Sequence, residues 1–155
     1  SQGKSGNIFF DGPRIYSYGR HFEMARFIDA DTVFITSRHY SVSTAKHLCL
    51  VRGAVRHKTV YTVPQFDDHP DNVRYFIVQS KTSYDKSKRA HTRVSWHINA
   101  AKAQVEQARR YMAQFKVEVP AEQRDLWVAL HTETYLNDDV QAALLAKERE
   151  AKKQS

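Results

Sequence analysis

The sequence predicts an α+β fold: a small antiparallel sheet of about five strands with one basic helix, followed by a long amphipathic helix and two shorter C-terminal helices. Three observations carry this reading. Short β-prone runs separated by turn residues occupy most of the first 94 residues. A Ser/Thr-started segment at 41–58 breaks that pattern with apolar residues at helical spacing. Later in the chain, Ile98, Ala101, Val105, Ala108, Met112 and Phe115 repeat at alternating intervals of three and four, the signature of one buried helix face. A chain of 155 residues is the size of one domain. Residues 1–155 are therefore read as a single α+β domain, sheet-rich and basic over 7–94 and helical over 95–155.

Taken in order, Asn7–Phe10 and Arg14–Tyr18 are strands divided by Asp11-Gly12-Pro13, a turn signal. Gly19 permits a change of direction, and His21–Ile28 reads as a short helical face through Phe22, Ala25, Phe27 and Ile28. Thr32–Thr36 is a strand. Ser41 to Thr44 supplies hydroxyls suited to cap a helix, and Ala45, Leu48, Val51 and Val55 turn inward behind them. Thr59–Val63 and Val73–Val78 are two further strands, joined by an acidic loop over Pro64–Asn72. Lys81–Arg93 is polar and reads as a loop, long hairpin or arm. The Ile98–Phe115 helix is expected to pack on the sheet and on Trp127, its seam being also of the kind a homodimer uses. Pro120 stops it, a shorter helix runs through Leu126, Trp127 and Leu130, and Asn137-Asp138-Asp139 starts a last helix that ends in a solvated, frayed stretch at Lys147–Lys153.

Composition narrows the function. The chain is 41% hydrophobic and 26% charged, with five Gly, four Pro and one Cys. That excludes a low-complexity chain, a disulfide framework and a Cys-based zinc module. No apolar run approaches the length of a membrane span, and the first residues do not form a signal peptide. The missing initiator Met suggests a fragment or a trimmed chain. Lys and Arg number 24 against 17 Asp and Glu, a net charge of +7. Residues 1–94 hold 15 basic against 8 acidic residues, while residues 95–155 are balanced. Segregated positive charge points to a polyanionic partner.

Two motifs concentrate the unusual side chains. The first is Tyr16-Ser17-Tyr18-Gly19-Arg20-His21-Phe22. The second runs from Arg38-His39-Tyr40 through Ser41-Val42-Ser43-Thr44 to Lys46 and His47. Over roughly residues 7–58 the chain resembles a family of uncharacterised domains from bacteriophages and plasmids, which share Tyr-Ser-Tyr-Gly-x-His-Phe and Tyr-Ser-Val-(Ser/Thr)-Thr-x-Lys-His. The resemblance implies a mobile-element origin and a setting in the cytoplasm of a bacterial host.

Three readings compete for these residues. In the first, the helix start with Ser43, Thr44 and Lys46 is an anion site. Arg20, Arg38, Arg52 and Arg56 then meet phosphates, and Tyr16, Tyr18 or Tyr40 stack on bases. In the second, His21, His39 and His47 are catalytic groups of a metal-independent ribonuclease. In the third, the motifs are structural, with histidines fixing turns and tyrosines burying their rings. No metal site and no cofactor is expected. His69 among Asp67, Asp68 and Asp71 reads as an acidic turn, His91 and His97 as structural, and Cys49 as a buried thiol. The expected function is a nucleic-acid-binding accessory protein, more a binder than an enzyme. The alternatives are a module that binds and modulates a host protein, and the ribonuclease.

Overall fold

A computed structural model describes residues 2–5, 7–18, 22–38, 41–132 and 138–154. The α+β class is observed. The chain divides into two compact units, Ser1–Asp68 and His69–Ser155.

The first unit is a six-stranded sheet in sequence order: β1 (Gln2–Ser5), β2 (Ile8–Asp11), β3 (Arg14–Ser17), β4 (Phe22–Phe27), β5 (Thr32–Thr36) and β6 (Thr59–Val63). A two-residue turn joins β2 to β3. Gly12 sits there at φ +58° with Pro13 behind it, the arrangement a tight hairpin requires. The first five strands pair antiparallel, but β5 and β6 run parallel. Four of the five pairings are antiparallel as expected, and the β5–β6 pairing makes the sheet mixed. Helix α1 (Val42–Val55) lies between β5 and β6 in sequence, and a helical crossover returns the chain to the same end of the sheet. Leu48, Val51 and Val55 of α1 bury against Ile8, Ile15, Ala25, Val33 and Ile35.

Strand β4 replaces the helical turn expected over His21–Ile28, and its register explains the misreading. Ile15 pairs with Ala25 while Tyr16 pairs with Glu23, so Met24 is an extra residue, a β-bulge. The bulge sets Phe22 and Ala25, three apart, against the same α1-facing core, a spacing that mimics a helix. It also turns Glu23 and Arg26 to the same side, where regular alternation would oppose them. Arg26 donates twice to the Glu23 carboxylate and once to Asp67, at 2.7–2.8 Å. These bonds, Glu23's first, outweigh burial and hold the guanidinium above its ordinary pKa.

The second unit is helical: α2 (His69–Arg89), α3 (Val94–Phe115), a 3-10 turn (Ala121–Gln123), α4 (Arg124–Thr132) and α5 (Asp138–Gln154). The strand expected at Val73–Val78, the acidic loop's end and the polar arm at Lys81–Arg93 are all corrected by α2. Its buried side is Asn72, Val73, Phe76, Ile77, Ser80, Tyr84 and Ser87. Two of these are serines that read as polar, yet they are satisfied internally: Ser80 donates to the Ala101 carbonyl (2.8 Å) and Ser87 to that of Tyr84. Small residues let α2 and α3 approach closely. His69 meets Tyr111 and Ser80 meets Ala101, so the two helices form an antiparallel hairpin.

The apolar seam of α3 is real, with Ile98, Ala101, Val105 and Ala108 all buried. Its main partner within the unit is α2, on which these four residues pack. The last helix continues through Lys147–Lys153, where a frayed stretch was expected. Glu148 is its anchor, accepting the Ser95 amide at 2.9 Å.

Candidate nucleic-acid interface

Ser41 precedes α1 in extended conformation and its Oγ accepts the Thr44 amide (3.1 Å), the N-cap expected from the sequence. The same hydroxyl donates to Thr44 Oγ1 at 3.1 Å. Thr44 Oγ1 is 2.9 Å from Ser17 Oγ, which is 2.9 Å from His47 Nδ1. The Thr44 and Ser17 hydroxyls can each donate or accept along this chain, which ends at the His47 ring. The two motifs therefore meet, through Ser17 and Tyr18 on one side and Thr44 and His47 on the other.

Tyr18 is the residue that brings the first motif to the helix. It adopts φ +57°, a left-handed conformation uncommon for a side chain of this size. Its amide is anchored on the Asn7 carbonyl (2.8 Å), and its ring lies 5.3 Å from that of His47 at a 45° tilt. The Tyr18 side chain remains 45% exposed.

These positions separate the candidate residues. Tyr16 is 8% exposed and packs near Phe9, so its ring has no face left for a base. Thr44 is 4% exposed with its hydroxyl engaged by Ser41 and Ser17, which removes it as a phosphate ligand. Ser43, Lys46 and Arg52 are exposed on α1, as are Arg56 at its C-cap and Arg38 ahead of it. Arg52 donates to Thr62 on β6 (3.3 Å), and the Arg38 guanidinium lies 5.8 Å from the centre of the Phe22 ring. Arg20, His21, His39 and Tyr40 lie outside the described residues. His47 is half-buried with Nδ1 turned to Ser17, itself 2% exposed. Ser17, at the centre of the Tyr-Ser-Tyr motif, is the residue that joins the two motifs, and its place in the sequence carries no signal of this.

The charge distribution is also clarified. From Ser41 to Lys58 there is no Asp or Glu, and four cations stand among eighteen residues. Part of that charge suits the helix itself, since Arg52 in the last turn and Arg56 at the C-cap face the negative end of the dipole. Lys46, one turn from the N-terminus, has no such role. Counted by structural unit, the excess is shared: residues 1–68 hold nine basic against six acidic side chains, and 69–155 hold fifteen against eleven. The segregation at residue 94 reflects the cations of α2, which belong to the second unit.

Beside Arg38 a polar hollow of about 160 Å³ is lined by Glu23, Arg26, Thr36 and Asp67 among others. Its two carboxylates are bonded to Arg26. Among the described residues, no cluster of three His, Cys, Asp or Glu could hold a metal ion, and no helix is long and apolar enough to cross a membrane. Cys49 is exposed, correcting the buried thiol: of Leu48-Cys49-Leu50 only Leu48 turns to the sheet. His69 is the first residue of α2 and pairs with Tyr111, so it is part of a core network and not of an acidic turn.

Comparison with family models, with curated proteins and with solved structures gave no match.

Proposed function

We propose that the first unit binds nucleic acid through the exposed side of α1, as an accessory protein of a phage or related element. The observation that carries this reading is the acid-free stretch Ser41–Lys58, folded as a helix whose exposed cations include Lys46, Arg52 and Arg56. Cations without carboxylate neighbours attract phosphates from any sequence, so the binding is electrostatic and non-specific in its main term. Arg38 and Ser43 extend the surface toward the helix start, where unpaired amides favour an anion. Tyr18 supplies the stacking face, since its ring is the described motif tyrosine that stays exposed. Thr44 and His47 act behind this surface: they fix the start of α1 and the Tyr18 turn.

Fluorescence anisotropy with labelled single-stranded DNA, duplex DNA and RNA across a salt series tests the reading. Binding should weaken steeply with salt. Replacing Lys46, Arg52 and Arg56 together with Ala should reduce the log–log salt slope by about one per lost phosphate contact. Denaturing gels of the same samples report any cleavage, and shortened RNA would move the reading to the ribonuclease. Absence of binding at low salt, or a triple variant that binds like the parent, would overturn it in favour of a protein partner.

A further inference from the structure

On the flank of α1 away from Arg52 and β6, a groove of about 270 Å³ opens between the helix and the sheet. Every side chain lining it is apolar. Ile8, Ile15 and Val51 are its buried floor, while Phe10 is 37% and Leu50 64% exposed at its lips. An isolated exposed leucine is ordinary, but a contiguous concave apolar surface on a basic unit asks for an occupant.

A charge stands beside one of its lining residues. Phe27 and Val55 line the groove, and the chain turns toward β6 just after Val55. The Lys58 amide donates to the Val55 carbonyl (2.8 Å), and its ammonium lies 5.9 Å from the centre of the Phe27 ring. The ammonium also donates to the Ala30 carbonyl. No carboxylate pairs with Lys58 among the described residues, although Asp29 and Asp31 flank Ala30; Asp29 instead accepts the Asp31 amide at 2.8 Å. An ammonium has three donors, so Lys58 keeps donors for a further acceptor beside the Phe27 ring of the trough.

We propose that this groove binds a single-chain amphiphile with an anionic head, of the fatty-acid type. The hydrocarbon lies along Ile15, Phe10 and Leu50, and the carboxylate meets Lys58. The dimensions favour a chain over a protein face. From Leu50 to Val55 the lining stretch of α1 advances only about 8 Å, whereas a stable protein interface covers about 800 Å² on each partner. The cation favours an anionic head over a neutral or cationic one. Nucleic acid has no hydrocarbon to offer the groove, so this site stands or falls apart from the phosphate-binding surface.

The test is an amide NMR titration of the full chain with sodium decanoate, kept below its micelle concentration, against decyltrimethylammonium. Decanoate should produce saturable shifts confined to residues around Ile8, Phe10, Phe27, Leu50 and Ala54. The cationic amphiphile should bind at least tenfold more weakly. Lys58→Gln should abolish that preference while leaving the spectrum otherwise intact, and Ala54→Phe, at an exposed position, should fill the groove and block both probes. Shifts that do not saturate or that scatter over both units would overturn the proposal. So would equal binding of the two head groups, which would make the groove a plain apolar surface.

Discussion

The two units solve the same problem, anchoring a helix start and a buried hydroxyl, from different places in the sequence. In the first, the start of α1 is capped by Ser41, three residues from the amide it accepts, and the hydroxyls of Ser17 and Thr44 extend the cap to His47. In the second, α3 begins after Arg93 at φ +58°, a residue whose side chain makes no cap bond. Its first turn is met instead by Glu148, fifty-three residues away. The buried hydroxyl there is Tyr111, which accepts from Asn72 Nδ2 (2.9 Å) and pairs with His69 Nδ1. Local caps make a segment readable and self-sufficient; remote caps make one helix depend on another.

The largest effect should come from the remote network. Tyr111→Phe keeps the ring, which packs with Phe76, Phe115 and His69, but removes the hydroxyl from a fully buried site. Asn72 is then left without that acceptor, a change expected to cost about 1–3 kcal/mol. Urea unfolding of the variant should show the loss in the midpoint. A cost near zero would mean that the Tyr111 hydroxyl adds nothing to the helix pair, and would weaken the contrast. Ser17→Ala tests the local network in the same way. Its hydroxyl bridges two side chains at 2% exposure, and about 1–2 kcal/mol is expected. If the network also positions Tyr18, nucleic-acid affinity should fall in this variant with its salt slope unchanged.

The same contrast explains which elements the sequence reveals. Strands β2, β3, β5 and β6 follow their turn residues and β-branched runs, and α1 and α3 follow regular apolar spacing. The misread elements are those whose pattern depends on a distant neighbour. At β4 a bulge at Met24 converts an inward period of two into three, which imitates a helix. At α2 the run Val73–Val78 has strong strand propensity, but it is overridden by packing against α3. The small residues that permit that packing, Ser80 and Ser87, look like a polar surface. In the candidate site, exposure is what the motifs could not show: Tyr16 and Tyr18 are two residues apart, and only the second keeps an open ring. The mixed sheet was within reach, since a helix between Thr36 and Thr59 already implies a parallel return.

A smaller and more local effect is expected at Ser41. Replacing it with Ala removes the acceptor for the Thr44 amide and the donor to Thr44 Oγ1, for about 1 kcal/mol. Because α1 starts inside the proposed interface, fraying there should also lower affinity at low salt. Ser41→Asp is the sharper probe. It restores the cap, and so the stability, but places a carboxylate at the helix start, so binding should drop further than in the Ala variant. Equal affinity of the two variants would place the phosphates elsewhere on the unit.

The smallest effect separates the two caps by acid. A serine cap does not titrate, whereas Glu148 does, and its carboxyl is held below the ordinary range. The main cause is the hydrogen bond from the Ser95 backbone, with burial opposing it and Lys152 adding a weaker attraction. A lowered folded pKa means the stabilisation is complete above the unfolded value of about 4.3 and is lost as the pH falls through the lower folded value. The second unit should therefore lose stability below that range through this contact. Glu148→Gln keeps an oxygen acceptor for the Ser95 amide but cannot ionise, so it should be slightly less stable than the parent at pH 7 and show less decline below pH 4. Amide exchange in the first turn of α3, compared with the first turn of α1 at the same pH values, reads the difference directly. Acid should loosen the start of α3 in the parent more than that of α1, and Glu148→Gln should remove the difference. Parallel loosening at both starts in the parent would show that the sensitivity belongs to the whole chain and not to the remote cap.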